Sequence, residues 1–320
     1  MSDIVVQAEN LTKQFPVASK RLGEKPRVLH AVDGVSLSIP KGGIFGVVGE
    51  SGCGKSTLGR CLLRMETITG GSVSFQGRDI TNLSGRSLKS LRRDMQMIFQ
   101  NPYASFDPKQ KIGSAFREAA RVHEMPREKA EVRIRDLLRE VNLPEDALNR
   151  IPSEMSGGQL QRLAIARALL LDPSFIVADE PVSALDVSVQ AQILNLMMDL
   201  RNKFSLTMLF ISHEMSVVRH LCDQVAVMYL GMVVEQAETE ELFSRLLHPY
   251  TQALMSAIPT LDPDHKSRRI VLQGDIPSPI DLPAGCPFAD RCSRCAPQCR
   301  EARPALRDRG GGHLVACHLV

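Results

Sequence analysis

The chain has 320 residues, 43% of them hydrophobic and 23% charged, an ordinary globular balance that excludes wholesale disorder and allows one large or two modest domains. A formal net charge of +3, with no long Lys/Arg block, is too small for a nucleic-acid footprint. The opening MSDIVVQAENLTKQF has no apolar stretch of signal-peptide length, and no run approaches the roughly 20 apolar residues that span a bilayer, so we expect a chain that is neither exported nor itself membrane-embedded.

In chain order, Val35, Leu37 and Ile39 alternate with Ser36, Ser38 and then Lys41, the pattern of a half-buried strand, which ends at Pro40 and a Gly42-Gly43 turn. Ile44 to Val48 is a short apolar run of the buried, parallel-sheet kind, and glycines follow it at once. A helix is expected over Thr57–Met65, and Gly70-Gly71 opens a strand in which Val73 and Phe75 face one way. From about 108 to 150 the sequence is charged and helical, and EKAEVRIRDLLREVNL predicts one face carrying Val132, Leu137, Leu138 and Val141. Pro144 and Pro152 bracket its end. A helix over 156–171, a buried strand Phe175–Ala178, a helix Val187–Phe204 and a buried strand Leu206–Ile211 complete an α/β pattern with a largely parallel sheet. Beyond about residue 260 the composition shifts to Pro, Arg, Cys and Gly, as in an appendix without a large core of its own.

The strongest motif is Gly49-Glu50-Ser51-Gly52-Cys53-Gly54-Lys55-Ser56-Thr57, a G-x-x-x-x-G-K-[ST] loop between a buried strand and a helix. Its glycines let the backbone wrap phosphate oxygens while the helix N-terminus adds partial positive charge. Lys55 would reach the β- and γ-phosphates of ATP, and Ser56 would ligate Mg²⁺. Next, the strand ending in Asp179-Glu180 puts two carboxylates at the edge where open α/β sheets bind ligands. Asp179 would hold Mg²⁺ through water, and Glu180 would orient and deprotonate the attacking water; a helix-capping DE pair is the plainer alternative. Ser156-Gly157-Gly158-Gln159 then opens a helix with a good N-cap and two glycines that leave its first N–H groups accessible. Because one γ-phosphate is already gripped by the first loop, a second such helix terminus points to a dimer closing over nucleotide held by the facing subunit.

Met155-Ser156-Gly157-Gly158-Gln159 resembles the signature of ABC ATPases, with Met where Leu is usual, and the glycine loop, signature and DE strand occur in the ABC order. The resemblance implies a P-loop NTPase fold with a mixed sheet, a helical subdomain at about 101–165 within an ATPase domain 1–258, and a small Cys-rich extension 259–320. It also places Gln100 as the Q-loop glutamine, near Mg²⁺ and linked to the membrane partner, and Asp186 as the D-loop residue. His213 is similarly placed as the switch histidine near the γ-phosphate, and Phe15 as the aromatic stacked on adenine. Lys55, Gln100, Glu180 and His213 are thus the expected catalytic set.

Asn101-Pro102-Tyr103-Ala104-Ser105-Phe106, Glu180-Pro181-Val182-Ser183 and His248-Pro249-Tyr250-Thr251-Gln252 look like the dipeptide/oligopeptide/nickel importer branch of this family. That branch implies a second, different ATP-binding subunit, two membrane permease subunits, an extracytoplasmic substrate-binding protein and a peripheral position on the cytoplasmic face of the cell membrane. Its substrates range over dipeptides, longer and antimicrobial peptides, haem precursors and nickel complexes. Cys53, Cys61 and Cys222 are scattered, whereas Cys286, Cys292, Cys295, Cys299 and Cys317 cluster near the end, as thiols or a metal site. Cys286, Cys292, Cys299 and Cys317 are similar to a four-cysteine pattern associated in this branch with an iron–sulfur cluster; chemically they suit [4Fe–4S] or Zn²⁺ equally, and Cys295 is a rival ligand. A soluble ABC ATPase working on nucleic acid or ribosomes would need a second cassette, a coiled coil or a basic surface, and the sequence carries none of them.

Overall fold

The alternation from Val35 to Ile39 produces the expected strand, with Val35, Leu37 and Ile39 buried and Ser36 exposed. The computed structural model describes residues 3–17, 27–258 and 270–320, so the stretch 259–269, where the expected extension begins, lies outside the described residues. The chain divides into two compact units. One comprises Met1–Val5, Ile39–Gly43 and Asn82–Ile211; the other comprises Val6–Ser38, Ile44–Thr81 and Ser212–Val320.

In the first unit, Met95–Ile98, Phe175–Asp179 and Thr207–Ser212 pair in parallel in that order across the sheet, with Met95 opposite Phe175 and Asp179 opposite Ile211. The middle strand is buried throughout, which explains its unbroken apolar run up to Asp179. The charged block resolves into two helices, Ile112–Val122 and Arg127–Glu140, parted at Glu124, whose φ is 58°, and at Pro126, which begins the second. The second helix buries Ala130, Ile134, Leu137 and Leu138, and Val141 follows on the same side. Val132, expected on that face, is 51% exposed. Two residues from both Ala130 and Ile134, it lies on the opposite side of a 3.6-residue turn. A helix at Gly85–Asp94 was not foreseen; only Leu91 is buried in it, so no apolar period reveals it.

In the second unit, Ile44–Val48 pairs in parallel with Gln224–Tyr229. Leu230 and Gly231, with φ of 45° and 79°, then turn the chain into Met232–Glu238, which runs antiparallel. Such a two-residue turn can join only antiparallel neighbours, so an antiparallel part adjoins the parallel strands and the sheet is mixed, as the resemblance implied. Leu314–Val315 and Arg307–Asp308 extend the antiparallel part, and a separate antiparallel layer pairs Val6 with Phe75.

The residues beyond 270 have little core of their own, as expected, and bury what they have against the rest of the second unit. Phe288 packs its ring 5.3 Å from Tyr229, 5.4 Å from Tyr250 and 5.7 Å from His248. The buried His313 ring lies 2.8 Å from Glu235 Oε1 and 3.1 Å from Glu241 Oε1. Glu235 also accepts the backbone N–H groups of Leu247 and His248 at 2.8 and 3.0 Å.

His248 Nδ1 accepts the Tyr250 N–H at 3.1 Å, and burial pushes its imidazole down to about 4. The unfolded chain, with an ordinary imidazole near 6.5, takes up this proton first as the pH falls. The contribution is therefore complete above pH 6.5 and is lost progressively toward pH 4, by roughly 3 kcal/mol. Urea unfolding across this range should show a pH slope that His248→Asn, which retains an oxygen able to cap Tyr250, flattens.

Candidate active site

Glycine shapes the phosphate loop. Between Ile44–Val48 and the helix Lys55–Leu62 the backbone passes through Gly52 and Gly54 at φ of 79° and 105°. A Cβ on Gly54 would stand 2.0 Å from the Ala31 carbonyl oxygen, and one on Gly49 would stand 2.2 Å from that of Met228. The helix begins at Lys55, two residues earlier than expected, and ends at Leu62, with Arg64 turned to φ 54° just beyond. Ser56 and Thr57 consequently occupy its first turn. No side chain caps this N-terminus and no acidic residue lies in the first turn, so nothing within the helix itself offsets its partial positive charge.

Lys55 is only 4% exposed, and its Nζ donates to the carbonyls of Gly49 at 2.7 Å and Glu50 at 3.0 Å. Ser51 and Gly52 form the exposed crest of the loop. The Cys53 thiol is buried and pushed up by desolvation against the opposing pull of Lys55, which makes it packing rather than a nucleophile. Behind the loop the Tyr250 hydroxyl accepts the Glu50 N–H at 2.9 Å. The Glu50 carboxylate accepts from both terminal nitrogens of Arg291 at 2.6 and 2.9 Å, and this pairing raises the guanidinium pKa. Neither Tyr250 nor Arg291 is legible in the sequence as a site residue, because separations of 200 and 241 residues from Glu50 hide such contacts.

Two further expected residues lie in this unit. Phe15 is half-buried, with Lys13 Nζ 4.5 Å from its ring centroid; Lys13 itself donates to Thr67 Oγ1 at 3.0 Å and pairs with Glu66 at 3.3 Å. His213 follows the strand Thr207–Ser212, is exposed over about half of its side chain, and has Nε2 3.8 Å from Glu214 Oε1.

The first unit brings together Gln100 and Glu180, which are 80 residues apart: Gln100 Nε2 donates to Glu180 Oε2 at 2.9 Å. Buried Asp179 closes the strand, and Glu180 departs from it at φ 46°, a conformation rarely taken by a side-chain-bearing residue. That conformation is held from both sides. The Glu180 N–H donates to Ile211 O at 3.0 Å, and its carbonyl accepts from Ser183 N at 3.3 Å and Ser183 Oγ at 3.1 Å.

Ser156 caps the helix Gly157–Ala168 reciprocally: its Oγ accepts from Gln159 N at 3.3 Å, and Gln159 Oε1 accepts from Ser156 N at 3.0 Å. A Cβ on Gly158 would come within 2.6 Å of Val189 Cγ1, and one on Gly157 within 3.4 Å of Leu185 Cδ2. Gly158 is therefore also a packing requirement against a residue of the helix that follows Asp186, whereas Gly157 meets Leu185 at ordinary contact distance. Asp186 caps the helix Val187–Phe204, accepting from Ser188 Oγ at 2.7 Å and Val189 N at 3.0 Å, and these bonds lower its pKa. Beside it Val187 is 82% exposed. Arg167, further along the signature helix, donates to Ser105 O at 2.6 Å and so ties that helix to the segment following Gln100.

Negative charge on Cys299, Cys317 or Cys292 would raise the Cys286 thiol, and charge on Cys317, Cys295 or Cys299 would raise that of Cys292. Burial is the larger cause and brings Cys286 up to about 11. Four sulfurs have the donor chemistry for a thiolate-bound metal. Among the described residues, however, no group of three or more His, Cys, Asp or Glu side chains is arranged to hold a metal ion.

A phosphate loop around a buried lysine, an Asp-Glu strand end and a capped Ser-Gly-Gly-Gln helix define an ATP-binding cassette. The ABC transporter family model matches residues 32–183, and the model of the oligopeptide/dipeptide transporter C-terminal region matches 234–299. The chain is 48% identical to the oligopeptide transport ATP-binding protein AppF of Bacillus subtilis, over 99% of this chain and 98% of that protein. It is 46% identical to the dipeptide transport ATP-binding protein DppF of Escherichia coli, over 99% of this chain and 94% of that one. Among solved structures it is similar to the dimeric ATP-binding cassette MJ0796 in a post-hydrolysis state bound to ADP and Pi, with a TM-score of 0.64 and 28% identity over 73% of this chain and 98% of that one. The chain belongs to the ABC transporter family, in its oligopeptide/dipeptide branch. It is accordingly an ATPase coupled to membrane transport, which implies membrane permease partners. No helix among the described residues is long and apolar enough to cross a membrane.

Gly54→Ala should lower stability by at least about 2 kcal/mol, since its new methyl meets the Ala31 backbone at a φ that L-residues avoid. Denaturant unfolding of the full chain measures the loss.

Proposed function

We propose that this chain hydrolyses ATP to energise the import of oligopeptides or dipeptides across the cell membrane. The observation that carries the reading is the Gln100–Glu180 hydrogen bond of 2.9 Å immediately after the Asp179 strand. A carboxylate fixed in a strained turn has its orientation set before substrate arrives. In this reading Lys55 and the loop N–H groups take the β- and γ-phosphates, and Phe15 stacks on adenine. Ser56, Gln100 and Asp179 offer hydroxyl, amide and carboxylate oxygens, the hard donors that Mg²⁺ takes. The bound ion would offset phosphate charge. Glu180 orients the attacking water and accepts its proton, with His213 near the γ-phosphate. Glu50, Ser51, Gly52, Cys53, Gly54 and Thr57 complete the loop.

The signature residues Ser156, Gly157, Gly158 and Gln159, with Asp186, are assigned to nucleotide held by a second, different ATP-binding subunit. Exposed Val187 beside Asp186 supports a protein-facing surface there. Two permease subunits and an extracytoplasmic substrate-binding protein complete the assembly, and the chain lies on the cytoplasmic face of the inner membrane. Residues 1–258 then act as the ATPase domain, with a helical subdomain at about 101–165, and 259–320 as the extension. The peptide class is supported by the names of the two relatives and by the match over 234–299.

Glu180→Gln and Lys55→Ala should each lower ATP turnover of the assembled transporter by at least roughly 10²–10³-fold. Near-normal hydrolysis by Glu180→Gln would remove it as the base. Labelled dipeptide uptake by cells lacking the chain should return with wild type and not with Lys55→Ala. Uptake independent of the chain would instead move the substrate to longer peptides or metal complexes.

For the tail, the thiolate donor chemistry of Cys286, Cys292, Cys299 and Cys317 supports a metal-loaded form, [4Fe–4S] with Zn²⁺ as the alternative. Chain purified without oxygen should contain iron with labile sulfide, or zinc, and Cys292→Ser should lose it. Metal-free wild type would leave the cysteines as plain thiols.

A further inference from the structure

We infer that Arg291 is a positioning residue for nucleotide binding: it neutralises Glu50 within the phosphate loop and fixes the loop's shape, so that the cysteine-bearing tail sets the affinity for ATP. The inference rests on the reading that this loop binds the phosphates.

Glu50 is the second residue of the loop, and the fold ties down its polar groups one by one. Its carbonyl accepts from Lys55 Nζ at 3.0 Å, its N–H donates to the Tyr250 hydroxyl at 2.9 Å, and its carboxylate accepts from Arg291 at 2.6 and 2.9 Å. The last two anchors come from outside the loop. A side chain that served only the loop's backbone shape would not need to be ionic. A carboxylate here opposes the polyphosphate that the loop must admit, and a low-dielectric setting leaves that opposition poorly screened. The Arg291 side chain is 8% exposed and that of Glu50 is 25% exposed, so the pair is largely removed from solvent. The bidentate fork cancels the charge and aims the carboxylate at the tail.

Arg291 is itself well placed to carry information from the tail. It ends the short helical turn Ala289–Arg291, directly before Cys292 and five residues after Cys286. Phe288 pins that turn into the ring cluster with Tyr229 and Tyr250, and the guanidinium lies 5.8 Å from the Tyr229 ring. Tail residues Ile276–Pro279 also share a cavity of about 300 Å³ with Glu50, Ser51 and Gly52. A shift of the Cys292 segment would pull directly on the Glu50 carboxylate.

The test is Mg·ATP titration of the full chain, with ATPase kinetics of the assembled transporter as the second readout. Arg291→Met leaves an uncompensated loop carboxylate and should raise the Kd for ATP about tenfold, with the same rise in KM and less than about a threefold change in kcat. Arg291→Met combined with Glu50→Gln leaves no buried charge and should recover most of the affinity. Arg291→Lys keeps the charge without the fork and should fall between the two. Wild-type affinity in Arg291→Met, or a double variant as weak as the single one, would overturn the inference. If Arg291→Met fails to fold by thermal melting, the double variant and Arg291→Lys decide it by the same binding readout. Absence of ATP binding by the wild type would instead overturn the reading of the loop itself.

Discussion

A buried ammonium group must be surrounded by oxygen, and Lys55 imposes that demand on the phosphate loop. Its charge sits almost wholly out of water, against the carbonyls of Gly49 and Glu50. The backbone can bring those oxygens around only by passing through conformations and close approaches that side chains forbid, at Gly49, Gly52 and Gly54. The helix that follows starts without a capping side chain, so no cap offsets its positive end. The loop is thus shaped before any anion arrives.

The Asp179-Glu180 strand end stores its preorganisation differently. There the strain is carried by a non-glycine residue in the left-handed region, and Ile211, Ser183 and Gln100 supply the contacts that keep it there. Gln100 emerges from one parallel strand and Glu180 from its neighbour, so strand pairing alone sets their approach. The capped signature helix is tied through Arg167 to the segment after Gln100.

The tail shows how a segment too poor in apolar residues for its own core can still be ordered. It contributes Phe288 to a ring cluster, a buried His313 to two carboxylates, an arginine to Glu50 and a strand to an existing sheet edge. Each contact is made with the rest of the second unit, and only the arginine reaches the phosphate loop, which explains why composition alone makes this stretch look like an appendix.

Much of the chemistry was legible in the residues themselves. The phosphate loop, the Asp-Glu strand end and the Ser-Gly-Gly-Gln cap are local: a few adjacent residues contain both the backbone requirement and the chemical group, so order along the chain suffices to recognise them. The same locality exposed the buried strands, since an apolar run covered on both faces has only one environment. It failed where the signal was weak or misphased, at the polar helix Gly85–Asp94 and at Val132. Tertiary structure alone decided that Glu50 faces Arg291 and Tyr250, that Gln100 holds Glu180, that Gly158 makes room for Val189, and that the four cysteines approach without forming a cage. These contacts join residues far apart in sequence, and hydrogen bonds and charges between such residues leave no periodicity for the sequence to display; only the closure of the sheet and loops brings their atoms within a few ångströms.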